Sequence, residues 1–238
     1  GLGEALTALA VAAAPTPATM ARHAPVATSV ATRLVDEAAA KQRLRSVGVA
    51  VPDGIVVGSA EEAVVASHSL GFPVTLKALG LAHKSEAGAV RVGLRDVEAL
   101  LAAMASMPTT GSGYLVEATV TDVVAEVLVA VRRDPPIGWL VTVGHGGVTT
   151  ELWSDVAHLL APVSRDEVIG ALERLRSAPL LRGFRGRPPA DVDSVADLVV
   201  RLADAVVGSD IVEVELNPVL VGTRGAVAVD ALMTVEDN

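Results

Sequence analysis

Apolar and polar residues follow two different periods along this 238-residue chain, and the changes of period mark its elements. From Ala31 to Val47 the spacing predicts a helix with Leu34, Val35, Ala38, Ala39 and Leu44 on one side. Arg33, Asp36, Lys41 and Arg43 lie on the other, and Gly48 closes it. Gly54–Val57 reads as a strand. Ser59, with Glu61 and Glu62 in the following turn, opens a second helix that Gly71 stops. Strand Pro73–Leu79, loop Gly80–Gly88, strand Val90–Leu94 and helix Asp96–Met107 follow, up to a turn-rich break at Pro108–Gly113. Beyond it the pattern changes to strands at Tyr114–Glu117, Val123–Val131 and Trp139–Val143, interrupted by the cluster Gly144, His145, Gly146, Gly147. A helical stretch Arg165–Arg176, a basic loop Leu181–Pro189 and a helix Val192–Val207 lead to two final strands, Ile211–Val221 and Ala226–Ala231.

Strands and helices alternate throughout, which predicts an α/β (α+β) fold in two unequal lobes, over residues 26–112 and 113–238. Residues 1–25 stand apart: an Ala-rich stretch runs into Pro15 and Pro17, and we expect the last helix of an upstream domain followed by a linker. A signal peptide is rejected there, because the stretch lacks a basic start and carries Glu4.

Composition narrows the class. An apolar share of 51% against 20% charged residues excludes a disordered chain. The absence of cysteine excludes a disulfide scaffold, a thiolate metal site and a Cys nucleophile, and a reducing, cytoplasmic setting is expected. A net charge of −9 and 2% aromatic residues argue against a nucleic-acid or anionic-membrane surface. No apolar run approaches the roughly 20 residues that span a bilayer. The sequence has no Gly-Lys pair for a Walker loop and no GxGxxG after a strand, so a nucleotide would need another scaffold.

Lysine usage points to chemistry. Of 19 basic residues only Lys41, Lys77 and Lys84 are lysines. Surface charge is served by either residue, but a compact ammonium on one phosphate oxygen is not replaced by a guanidinium fork. Lys77 lies inside the apolar run Val74–Leu79, where it reads as a phosphate ligand facing a cleft or as a snorkelling edge-strand lysine. The loop Ala82–Gly88 gathers His83, Lys84 and Ser85; an imidazole there is a phosphoryl acceptor or simply solvated. Glu213, Glu215 and Asn217 share one strand face and Asp230 ends the next strand, an oxygen set suited to Mg²⁺ or to a solvated sheet face. Glu126, in the middle of an apolar strand, is expected to be buried with a partner. The Gly144–Gly147 loop offers backbone N–H groups to an anion or merely turns the chain.

In this order, Lys77, His83-Lys84-Ser85, Glu117, Glu126, Gly144–Gly147 and Glu215-Leu216-Asn217-Pro218 with Asp230 resemble the ATP-grasp domain of the NDP-forming acyl-CoA synthetases, relatives of the succinyl-CoA synthetase β subunit. The stretches Arg132–Pro135 and Arg185–Pro189 add to the resemblance, which runs from about residue 26 to 236. It implies ATP held between two lobes, with Lys77 on its phosphates. Lys84, Gly88, Gly146 and Gly147 lie around the nucleotide, and Glu117 and Glu126 near base and ribose. Mg²⁺ is expected on Asn217 and Asp230 with Glu215 close by, and His83 relays a phosphoryl group. The implied reaction joins a carboxylic acid to CoA at the expense of ATP, giving ADP and phosphate. The acid and CoA are reached through a partner domain or subunit that binds CoA and carries the first phosphohistidine. A nucleotide-sensing module of a protein lysine acetyltransferase and an ATP-grasp carboxylate–amine ligase are the alternatives. The chain departs from the family pattern at Ala89, Glu215 and His145.

Overall fold

The computed structural model describes residues 31–80, 88–135 and 137–237. Strand β1 is Thr32–Val35, and Asp36, whose side chain accepts from the Ala38 N–H, caps helix α1, Glu37–Ser46. The helix expected from Ala31 therefore begins six residues late, at Glu37. Its inward face is also turned, with Glu37, Ala40, Lys41 and Leu44 buried while Leu34 on β1 is exposed. Leu34 and Val35 of β1 fall in phase with the helical period that follows, so the pattern does not separate strand from helix.

The small sheet follows. Strand β2 (Gly54–Val57), helix α2 (Ala60–Leu70, capped by Ser59), strand β3 (Val74–Ala78), strand β4 (Val90–Leu94) and helix α3 (Val97–Ser106, capped by Asp96) match the sequence expectation closely. Strand β5 (Tyr114–Ala118) lies between β2 and β3, so the order is β2-β5-β3-β4. An expected boundary at residues 112/113 cuts this sheet, because β5 completes it from beyond the break. Val57, Ala63, Val74, Leu76, Leu100 and Val116 form its core.

The large sheet is built from β6 (Ala125–Asp134), β7 (Gly138–His145), β8 (Val156–Leu160), β9 (Ile211–Val221), β10 (Ala226–Ala228) and β11 (Leu232–Glu236), with β1 at its edge. The order is β1-β11-β9-β6-β7-β8, and β10 pairs with β9. Strands β1, β8 and β11 were not expected from the pattern, and the last expected strand is shorter, ending at Ala228. A short helix α4 (Thr150–Trp153) follows β7; α5 (Arg165–Glu173), α6 (Ala178–Leu181) and α7 (Val192–Val206) precede β9. Val127, Val129, Val131, Val141, Val143, Val214 and Leu216 bury one sheet face in the same core as Val168 and Leu172 of α5 and Val195, Val199 and Leu202 of α7. Ala40 and Leu44 place α1 in this core as well. The opposite face carries Glu215, Asn217 and their neighbours. Among the described residues no helix is long and apolar enough to cross a membrane.

Candidate functional site

Strand register sets the first part of the site. Glu117 on β5 lies opposite Thr75 on β3, so Lys77, two residues on, is its diagonal neighbour on the same face. Strand β3 is flanked on both sides, so Lys77 is not an edge-strand lysine, and it is buried. Glu37 and Lys41 reach it from α1, one turn apart and therefore on one helix face. Both lysines meet both carboxylates. Lys77 Nζ is 2.8 Å from Glu37 Oε1 and 3.3 Å from Glu117 Oε2, while Lys41 Nζ is 2.8 Å from Glu37 Oε1 and 2.5 Å from Glu117 Oε1. Both ammoniums also donate to the Val229 carbonyl, which joins β10 to β11. No more than 5% of any of these four side chains is exposed, so the charges compensate one another out of water.

The two ammoniums respond unequally to this setting. Burial works against the charge of Lys77, but Glu37, Glu117 and Asp230 outweigh it, and its pKa lies above the usual lysine value. Burial and the neighbouring Lys77 charge hold the Lys41 ammonium below that value, despite Glu37 and Glu117. Asp230 thus stands within the electrostatic reach of Lys77; its Oδ1 accepts from the Ala231 N–H.

The second part lies where β7 ends. The glycine cluster does not interrupt the sheet at Gly144, since β7 runs on to His145 and the chain leaves it at Gly146. The Gly146 N–H donates to the Glu126 carbonyl, and the Gly147 N–H donates to Asn217 Oδ1 at 2.8 Å. Gly147 has φ +84°, and a β-carbon on it would collide with the Glu126 carboxylate. The backbone conformation favours glycine there, whereas the Glu126 carboxylate is the end of a flexible, exposed side chain that can swing aside. His145 stacks on Trp153 with centroids 4.7 Å apart and bonds to Thr149 Oγ1 through Nε2. The two parts adjoin along one chain segment, because the Val229 N–H donates to the Pro218 carbonyl, next to Asn217.

Lys77 and Glu117 are thus linked with the segment of Asp230, and Glu126, Gly146 and Gly147 with Asn217, the two groups joined by the Val229–Pro218 hydrogen bond. Glu215 lies two residues before Asn217 on the same strand face, opposite Ala130 and Leu232. Gly88, with φ +63°, opens the stretch into β4, and its carbonyl accepts from Arg91. His83 and Lys84 lie outside the described residues. Glu126 is exposed, against expectation. Val127, Val129 and Val131 take the core face of β6, which leaves Glu126 on the open face, where no buried partner is needed. Glu117, expected at a base or ribose, is turned to the two lysines.

Sequence reasoning missed Glu37 and placed Lys41 on a solvated helix face. Lysine scarcity was the signal: of three lysines in the chain, two meet in this cluster.

The oxygen donors suit a hard cation. An amide oxygen keeps a second lone pair after accepting one N–H, so Asn217 Oδ1 can hold the Gly147 N–H and ligate a cation together. Among the described residues no group of three or more His, Asp or Glu side chains forms a metal site, so a cation here would complete its shell with phosphate oxygens and water.

An ATP-grasp domain family model matches residues 26–235. The chain is 31% identical over 208 residues to the acetate–CoA ligase [ADP-forming] I subunit beta of Pyrococcus furiosus, covering 83% of this chain and 90% of that one. It is 34% identical over 206 residues to the acetate–CoA ligase [ADP-forming] I of Archaeoglobus fulgidus, spanning 82% of this chain but only 30% of that longer one. Among solved structures, acetyl-coenzyme A synthetase 1 of Ca. Korarchaeum cryptofilum, in complex with coenzyme A and Ca-AMPCP, superimposes with a TM-score of 0.79 at 32% identity, over 86% of this chain and 93% of that one. The Pyrococcus relative is named as one subunit of an enzyme, and the Archaeoglobus relative is about three times as long as the matched stretch. On these grounds the chain belongs to the ATP-grasp domain family, in the branch of the ADP-forming acyl-CoA synthetases, of which it is the nucleotide-binding part.

Proposed function

We propose that this chain is the ATP-binding, phosphoryl-transferring part of an ADP-forming acyl-CoA synthetase that makes acyl-CoA, ADP and phosphate from ATP, a carboxylic acid and CoA. The observation that carries the reading is Lys77. It is an ammonium kept charged on the small sheet, bonded to the segment that holds Asp230, and that segment is hydrogen-bonded next to Asn217, which accepts from the Gly147 N–H.

In this reading Lys77 holds the phosphates and fixes their orientation. Gly146 and Gly147 let the backbone approach closely, and Gly88 and Lys84 contact the nucleotide. Glu126, exposed on the open face of β6, lies toward base and ribose, while Glu117 stays with the two lysines. Asn217 and Asp230, with Glu215 adjacent, are the residues that would hold Mg²⁺, which supplies neutralisation of the phosphate charge. An imidazole nitrogen of His83 attacks the γ-phosphorus; the new N–P bond forms as the bond to the ADP oxygen breaks, and ADP leaves. The phosphoryl group then passes to a histidine of the CoA-binding partner. There it activates the carboxylic acid as an acyl phosphate, from which the CoA thiolate expels phosphate. The lack of cysteine and the use of ATP suit a cytoplasmic enzyme.

The test is incubation of the chain with Mg²⁺ and γ-labelled ATP. The expected result is an acid-labile, alkali-stable label on the protein that excess ADP removes and His83→Ala abolishes. The absence of both the label and ATP binding would overturn the reading.

A further inference from the structure

Each lysine of the buried cluster has three oxygen neighbours, and an ammonium has three N–H groups. Lys77 is surrounded by Glu37 Oε1, Glu117 Oε2 and the Val229 carbonyl. Lys41 is surrounded by Glu37 Oε1, Glu117 Oε1 and the same carbonyl. In this arrangement Lys77 has no donor left for a phosphate. To take one it must release an oxygen, and a buried carboxylate released with no second cation at hand is strongly unfavourable. Lys41 is that second cation, already within 2.8 Å of both carboxylates.

We infer that Glu37 and Lys41 are positioning residues for the phosphate-binding lysine: Lys41 keeps the buried carboxylates neutralised while Lys77 turns from them to the nucleotide phosphates, and Glu37 sets how firmly Lys77 is held back. The inference rests on the nucleotide reading above. Its geometry also links the two sheets. Glu37 and Lys41 stand on a helix of the large-sheet core, Lys77 and Glu117 on the small sheet, so the exchange loosens one contact between lobes while the Lys41–Glu117 pair keeps the other.

Charge dictates opposite outcomes for the two residues. Glu37→Gln removes one of the carboxylates competing for Lys77, whereas Lys41→Met leaves both carboxylates to Lys77 alone. One charge at contact distance changes a neighbouring ionic equilibrium by about tenfold or more. We therefore expect Glu37→Gln to bind Mg-ATP about tenfold more tightly and Lys41→Met about tenfold more weakly. The neutral double variant should return to within about threefold of the unaltered chain. Binding of adenosine, which carries no phosphate, should be unchanged in all three.

Calorimetric titration of each variant with Mg-ATP and with adenosine, after circular dichroism has verified the fold, reads this directly. Parallel weakening of both ligands in all variants is the mark of a merely structural role and overturns the inference. Should Lys41→Met not fold, the comparison of Glu37→Gln with the double variant decides it, because the second substitution must undo the gain of the first. Failure of the unaltered chain to bind Mg-ATP overturns the nucleotide reading and the inference with it. Binding by the unaltered chain with no gain in Glu37→Gln overturns the inference alone.

Discussion

Gly146 shows how closely single residues are fitted around the site. A β-carbon there would lie 2.6 Å from the Val127 backbone carbon and 2.8 Å from its nitrogen, and no side chain can move aside to relieve that contact. Gly146→Ala must push β7 away from β6, and we expect a stability loss of about 1–3 kcal/mol together with weaker Mg-ATP binding. Thermal unfolding with and without nucleotide checks both, and an unchanged melting temperature would refute the fit. Lys77 could be singled out from sequence because a cation within an apolar strand is conspicuous. Lys41 could not be placed, because a lysine at helical spacing is normally solvated, and only the fold reveals that its helix turns Glu37 and Lys41 inward. Glu126 was misplaced for a related reason. A position in the middle of an apolar run was equated with burial, whereas β6 has one face on the core and one open.

At the scale of elements, caps and turns were the readable features. Ser59 and Asp96 open α2 and α3 where the sequence put them, since their side chains satisfy N–H groups that the helices leave free. The unexpected strands, β1, β8 and β11, are only four or five residues long, and pairing with other strands of the large sheet defines them. Asp191 joins a cap to a tertiary contact. It accepts from Ser194 N–H and Oγ and from the Gly225 N–H, so it fastens α7 to the turn before β10. The hydrogen bonds from the Ser194 side chain, the Ser194 N–H and the Gly225 N–H hold its pKa below the usual carboxylate value. A lowered folded pKa means that the stabilisation is complete above the unfolded value, 3.8, and disappears as pH falls through the folded one. Asp191→Ala should thus cost about 1–2 kcal/mol at neutral pH. In urea titrations the gap to the unaltered chain should narrow as pH falls below 3.8; a gap independent of pH would exclude this role.

At the scale of the molecule, the two-lobed α/β architecture was legible because it follows from the succession of elements. The division between the lobes was not, because each sheet recruits a segment from the other side of the expected boundary. The four-charge cluster ties the lobes together, so its energetics belong to the whole fold. Lys77→Met leaves two buried carboxylates to one ammonium, and we expect a loss of about 3–5 kcal/mol. Removing a neutral pair, Lys77→Met with Glu117→Leu, should cost less than Lys77→Met alone. Chemical denaturation of the two variants tests this, and a larger loss in the double variant would argue against the pairing.

The place of β1 in the large sheet has a consequence for the order of events during synthesis. Thr32 pairs with Glu236, so the first strand of the sheet finds its neighbour only after roughly two hundred further residues have left the ribosome, a separation that slows closure of the sheet. Until then Glu37 and Lys41 stay in water on a helix without its final packing. The buried charges come together late, when the strand carrying Glu236 arrives, so the four-charge cluster is not assembled before that strand has been made.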